Sequence, residues 1–165
     1  MLIIFGGLPG TGKSTLALRL AGETGAVYLR IDSIERAMAG TEAAFSLGER
    51  GYLVAYAVAE DNLRLGRTVI ADSVNPLEIT RTAWRNVAAR ASVNAVEIEV
   101  ACSDPAEHRR RVETRAALIP VTWQDVVDRD FERWSGDHNR IDTAGQEIEE
   151  SFAALRRVLP AGLCR

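Results

Sequence analysis

The octapeptide Gly7-Leu8-Pro9-Gly10-Thr11-Gly12-Lys13-Ser14 constrains this chain more than any other feature. It fits G-x-x-x-x-G-K-[ST] without a mismatch. An apolar run, Leu2–Phe5, precedes it, and a helix-patterned stretch, Lys13–Gly22, follows. Glycines tolerate the backbone angles of a tight loop and let the main chain approach a ligand. Successive N–H groups in such a loop converge into an anion-binding nest. The following helix aims its positive N-terminal end at the same point. Lys13 adds a full charge able to follow the β- and γ-phosphates of a nucleotide, and the Ser14 hydroxyl can ligate Mg²⁺. Gly7, Pro9, Gly10, Thr11, Gly12, Lys13, Ser14 and Thr15 are therefore the expected nucleotide-binding residues.

The rest of the chain alternates strand-like and helix-like stretches, the pattern of an α/β fold with a parallel sheet. Strands are expected at Leu2–Phe5, Ala26–Ile31, Thr68–Ala71, Ala95–Ala101 and Arg140–Asp142. The alternation VEIEV in the fourth suggests a more exposed face or an edge position. Helices are expected at Lys13–Gly22, Ser33–Met38, Leu47–Leu65, Pro76–Arg90, Asp104–Arg115, Thr122–Trp134 and Ala144–Val158. In the third, Leu53, Tyr56, Ala57, Glu60 and Leu63 divide apolar from polar faces. Asp104 with Pro105, and Thr122, are helix-start signals. Residues 1–165 read as one domain, with a break at Ala116–Val121.

Composition narrows the function classes. The net charge of −3 argues against a protein built around long nucleic acid. No apolar run is long enough to span a bilayer. Cys102 and Cys164 are too few for a disulfide framework or a zinc site, and His108 and His138 lack metal-ligand spacing. The opening MLIIFGG reads as a first strand rather than a signal peptide, so the cytoplasm is the expected location. Of 20 basic residues, Lys13 is the one lysine, so an NKxD-type guanine motif is absent. A codon bias toward arginine accounts for the excess, but not for the retention of lysine at position 13. Trp84, Trp123 and Trp134 fall at helical positions that suit packing.

Two aspartates end expected strands. Ligands of open parallel sheets sit beyond the carboxyl ends of the strands, which brings Asp32 close to a transferred phosphate. A plain helix N-cap is the competing role. Asp72 ends the most apolar strand, and a carboxylate there suits Mg²⁺, directly or through water. Arg36 either contacts an acceptor or pairs with Asp32 along a helix. The arginine-dense run 108–115 is either a solvated face or a segment that closes over phosphate.

The pieces GLPGTGKST (7–15), YLRIDSIERAM (28–38), GRTVIADSVNP (66–76), CSDPAEHRRRVETR (102–115) and RIDTAG (140–145) together resemble a bacterial group of small P-loop kinases with an AAA-like label. That group is similar to gluconate, shikimate and adenylylsulfate kinases, polynucleotide 5′-kinase and zeta-toxin kinases. The resemblance implies a three-layer α/β P-loop fold with a five-stranded parallel sheet of order 2-3-1-4-5. It implies ATP and Mg²⁺ as cofactors and transfer of the γ-phosphoryl group to a hydroxyl of a small molecule. It also implies site roles: Lys13 as charge stabiliser, Asp32 as base or hydroxyl anchor, Ser14 and Asp72 as metal ligands. Arg36, Asn75 and Arg81 would bind the acceptor. Arg111 and Arg115 would act from a lid at about 109–121, and Thr143 would sit against adenine, unless it is only a helix cap. Which aspartate is the base stays open. So do three other functions: a 5′-hydroxyl or nucleotide-sugar kinase, an adenylylsulfate kinase, and a non-catalytic ATP-binding regulator.

Overall fold

Each expected strand is present, and all five run parallel in the order β2-β3-β1-β4-β5. The computed structural model describes residues 1–39, 47–115 and 120–163. Most of the expected break at Ala116–Val121, and Cys164, lie outside the described residues. The elements are β1 (Leu2–Gly6), α1 (Lys13–Thr24), β2 (Val27–Arg30), α2 (Ile31–Ala39), α3 (Leu47–Arg64) and β3 (Val69–Asp72). They continue with α4 (Glu78–Arg90), β4 (Ala95–Ala101), α5 (Pro105–Thr114), α6 (Trp123–Val127), β5 (Asn139–Asp142) and α7 (Ile148–Val158). Among the described residues, no helix is long and apolar enough to cross a membrane.

The strand period of two divides β1 between two cores. Ile3 and Phe5 join Leu16, Leu20, Ile98, Phe152 and Leu155 on one face. Leu2 and Ile4 join Ile31, Ala55, Leu63, Trp84 and Val87 on the other. A strand buried on both sides reads as a continuous apolar run, which is how LIIF appears in the sequence. Parallel pairing aligns Phe5 with Asp72 of β3 and Ile98 of β4, so the strand ends form one rim.

Several boundaries differ from the sequence pattern, each for a tertiary reason. β4 is internal, between β1 and β5, so the edge alternative is excluded. Its glutamates are partly exposed and paired, Glu97 with Arg85 at 3.1 Å and Glu99 with His138 at 3.4 Å. The buried stripe of α3 is Ala55, Ala59 and Leu63, whereas Leu53 is 62 % exposed. Small residues at that spacing let the helix lie close on the sheet. α7 begins at Ile148 rather than Ala144, with Glu147 and Glu150 forming its capping box.

The largest correction concerns Thr122–Trp134. Thr122 does cap a helix, through a box with Asp125, but α6 ends at Val127. The backbone beyond it bonds elsewhere. Glu132 N–H donates to Pro76 O at 2.9 Å, and the carbonyls of Glu132 and Arg133 accept from the Arg81 guanidinium at 2.6 and 3.1 Å. Arg81 also donates to the carbonyls of Asn75 and Pro76, and its plane lies over the Trp134 ring at 4.5 Å. It is 1 % exposed. One side chain thus fastens the segment after α6 to the start of α4. Arg81→Leu would remove all four of these hydrogen bonds and leave the buried Asn75 carbonyl without its Arg81 donor, a loss of about 3 kcal/mol in stability, readable as a lower urea midpoint.

Candidate nucleotide and acceptor site

The loop between β1 and α1 keeps its carbonyls outward. Thr11 Oγ1 donates to Leu8 O at 2.9 Å, His108 Nε2 bonds Pro9 O at 2.8 Å, and Thr143 Oγ1 donates to Thr11 O at 2.9 Å. With these carbonyls occupied, and with the N–H groups of Gly7 and Thr11 bonded to Val74 O and Leu8 O, the other loop N–H groups are left for an anion. Two glycines are required by close approach. A Cβ on Gly7 (φ +146°) would collide with Val100 O, and one on Gly10 (φ +88°) would lie 2.6 Å from Val112 Cγ2 of α5.

Lys13 is 7 % exposed, and its Nζ is 3.5 Å from Asp72 Oδ1. Asp72 is itself 1 % exposed. Its Oδ2 accepts a 2.6 Å hydrogen bond from the Tyr28 hydroxyl, whereas Oδ1 receives none. Burial, then the Asp72 charge, push the Tyr28 phenol well above its ordinary range, so it stays a donor. Arg30, at the end of β2, lies between the two aspartates, 3.4 Å from Asp32 Oδ2 and 3.8 Å from Asp72 Oδ2. Asp32 falls within the first turn of α2 rather than at its cap, with its side chain 29 % exposed. The carboxylates therefore differ in setting: Asp72 is buried beneath Lys13, and Asp32 is open to solvent. Tyr28 and Arg30 fall within the 28–38 piece but carry no role in the sequence reading; strand register aligns Tyr28 with Ile70 and Arg30 with Asp72.

Two cavities open at this rim. The first, about 530 Å³, is lined by Gly10, Gly12, Lys13, Ser14, Thr15 and Arg30, with Arg111, Arg115 and Thr143 opposite. The second, about 600 Å³, is lined by Pro9, Lys13, Asp32, Glu35, Arg115 and Arg129, and by Tyr52, Tyr56 and Ile79 among its apolar residues. Lys13 and Arg115 belong to both walls. Arg115 Nε is buried with no hydrogen-bond partner among the described residues, and burial draws its pKa down. Burial, then the nearby Asp32 charge, raise the Glu35 pKa against the opposing pull of Arg129.

The expected lid arginines occupy different places. Arg111 donates to Thr143 Oγ1 at 2.7 Å, Thr143 O at 2.9 Å and Glu107 at 2.6 Å, on the wall of the first cavity. Arg115 stands at the junction. Thr143 is 4 % exposed and caps no helix, so the cap alternative is set aside. The three expected acceptor contacts are not gathered at the second cavity. Arg81 is spent on four carbonyls, as described above. Asn75 is fully buried at φ +53°, its N–H donating to Tyr52 Oη at 3.2 Å. Arg36 is exposed and outside the cavity wall. Trp84 is core, and Trp123 meets His108 edge-on at 5.2 Å.

Mg²⁺ fits the donors present. Ser14 lies on the first cavity, and Asp72 Oδ1 is a buried carboxylate oxygen without a hydrogen bond. Among the described residues there is no cluster of three His, Cys, Asp or Glu side chains. That agrees with a cation held by one or two protein oxygens and nucleotide phosphates.

Two tests follow from this geometry. Lys13→Arg puts a planar guanidinium where a narrow ammonium fits, and should weaken ATP binding at least about tenfold by calorimetry with the thermal midpoint little changed. For Glu35, a raised folded pKa means that its stabilising contribution is complete below the ordinary value and is lost as pH rises through the folded value. Glu35→Gln removes that loss. Its melting temperature relative to the natural protein should therefore rise as the pH is raised above the ordinary glutamate range of about 4.

Residues 2–134, most of the chain, match a family described as an AAA domain. No curated protein sequence matches. Solved structures share the fold. The Mycobacterium tuberculosis APS kinase CysC, in complex with AMPPNP and APS, is 21 % identical with a TM-score of 0.71, covering 95 % of each chain. Chaetomium thermophilum Kti12, in complex with ADP-AlF3, is 20 % identical with a TM-score of 0.71, covering 98 % of this chain and 100 % of the other. A Sinorhizobium meliloti gluconokinase is 17 % identical with a TM-score of 0.64, covering 94 % and 91 %. The outward-bonded phosphate loop, the 2-3-1-4-5 parallel sheet and the family match agree, and the chain belongs to the AAA-domain family of P-loop kinase-like proteins.

Proposed function

We propose that this protein is an ATP- and Mg²⁺-dependent kinase that phosphorylates a hydroxyl of a small molecule. The carrying observation is that Lys13 and Arg115 line both cavities, so a γ-phosphate held in the first would face an acceptor held in the second. The gluconokinase and APS kinase likenesses agree with a small-molecule acceptor. Residues 1–165 would act as one domain, with 109–121 as its lid.

In this reading the loop N–H groups of residues 10 and 12–14 grip the phosphates, and Lys13 holds charge on the γ-phosphoryl oxygens. Ser14 and Asp72 would hold Mg²⁺, which supplies positive charge against the phosphate oxygens. Thr143 and Arg111 form the wall expected to face adenine. Asp32 orients the acceptor hydroxyl and takes its proton as the oxygen attacks the γ-phosphorus. The bond to the bridging β–γ oxygen breaks, and ADP carries away that electron pair. Arg115 neutralises charge on the group in flight. Arg30 links the two carboxylates, and Tyr28 fixes the Asp72 carboxylate by its hydrogen bond.

A coupled ADP-release screen across hydroxyl compounds, with Lys13→Ala as the blank, tests the reading. Asp32→Asn should lower kcat at least about 100-fold with ATP binding retained. Asp72→Asn should instead weaken Mg²⁺-dependent nucleotide binding. The reverse pattern would exchange the roles. No turnover above the blank on any compound would favour a nucleotide-binding regulator, the reading that the Kti12 likeness supports.

A further inference from the structure

The second cavity is chemically two-ended. Three charged residues mark the end where it meets the first: Lys13 and Arg115 belong to both walls, and Asp32 neighbours Arg30 of the first wall at 3.4 Å, while Glu35 and Arg129 add one charge of each sign elsewhere on the lining. Away from that end the lining includes Tyr52, Leu53, Tyr56, Val74, Leu77 and Ile79. The two tyrosine hydroxyls are engaged with backbone. Tyr52 Oη accepts from Asn75 N–H at 3.2 Å, and Tyr56 Oη donates to Thr80 O at 3.3 Å. What they leave to a ligand is ring surface. At the rim, Leu53 and Ile79 are 62 % and 74 % exposed, an apolar mouth that a bound molecule would cover.

We propose that this cavity takes an uncharged alcohol with an apolar body of about aromatic size, its hydroxyl directed to the Lys13–Asp32–Arg115 end. This rests on the kinase reading and names its acceptor class. A volume of about 600 Å³ suits such a molecule together with displaced water. A polyol enters at a disadvantage, because most of the lining away from Lys13, Asp32 and Arg115 is ring and aliphatic surface, and Glu35, Arg129 and Thr80 cannot replace water at every further hydroxyl. Glu35 and Arg129 lie on the same wall with opposite charge and favour neither a cation nor an anion.

The test compares 3-phenylpropan-1-ol with xylitol, for binding by ligand-observed NMR and for transfer of labelled γ-phosphate from ATP. The aryl alcohol should bind at least about tenfold more tightly than xylitol. Ile79→Asp, at an exposed helix position, should remove about tenfold of that affinity with ATP affinity unchanged. Xylitol binding equal or better, no detectable aryl alcohol binding, or indifference to Ile79→Asp would overturn the proposal. Tight aryl alcohol binding without transfer to any alcohol would keep the cavity assignment and remove the kinase reading. Transfer to xylitol but not to the aryl alcohol would do the opposite.

Discussion

The outward bonding of the loop carbonyls is the constraint on which the site depends. A loop of alternating N–H and C=O groups repels phosphate as readily as it attracts it unless the carbonyls are turned away and satisfied. Here the satisfaction is long-range: His108 from α5 holds Pro9 O, and Thr143 from beyond β5 holds Thr11 O. Val100 and Val112 leave no room for a Cβ at Gly7 or Gly10. The sheet order makes this possible. With β4 and β5 on one side of β1, the segments that follow them close on the loop from that side. The same order puts β3 and β2 on the other side, so Asp72, Arg30 and Asp32 arrive there. The division into two cavities, one on each side of the loop, is a consequence of strand order.

Charge is arranged around that loop as a chain rather than as isolated pairs. Lys13 meets Asp72, Asp72 meets Tyr28 and Arg30, and Arg30 meets Asp32. Burying a lone ammonium or carboxylate is costly, and removing one member leaves another uncompensated. The chain holds Lys13 in place before any phosphate arrives, and leaves Asp72 Oδ1 with acceptor capacity to spare. Asp32, at its exposed end, is free to meet a proton donor. The two aspartates look alike in the sequence, each at the end of a strand, and are distinguished by depth.

Arg81 shows the limit of motif logic most clearly. In the resemblance it is an acceptor-binding arginine. In the fold its donors meet carbonyls of 75, 76, 132 and 133, and the helix expected to run through Trp134 stops at Val127. Local pattern predicted helix there because its apolar spacing and cap were right. The Glu132 N–H, which a longer helix would give to residue 128, goes instead to Pro76 O. In α3 the faces expected from Leu53, Tyr56, Ala57, Glu60 and Leu63 are shifted: Leu53 is exposed and helps to line a cavity, whereas Tyr56 lines that cavity and also packs against the core.

Sequence alone determined the phosphate loop, the strand and helix order, the aspartates at or just past two strand ends and the small, slightly acidic character of the chain. These are local: they depend on glycine, on chain period and on capping chemistry within a few residues. Only tertiary structure decided which arginine is a clamp, which lies at the cavity junction, that Tyr28 and Arg30 organise the aspartates, and that the second cavity is apolar. Each of these turns on residues tens of positions apart meeting at one rim. A guanidinium has the same formula whether it faces carbonyls or a phosphate, and strand register and helix packing choose between them.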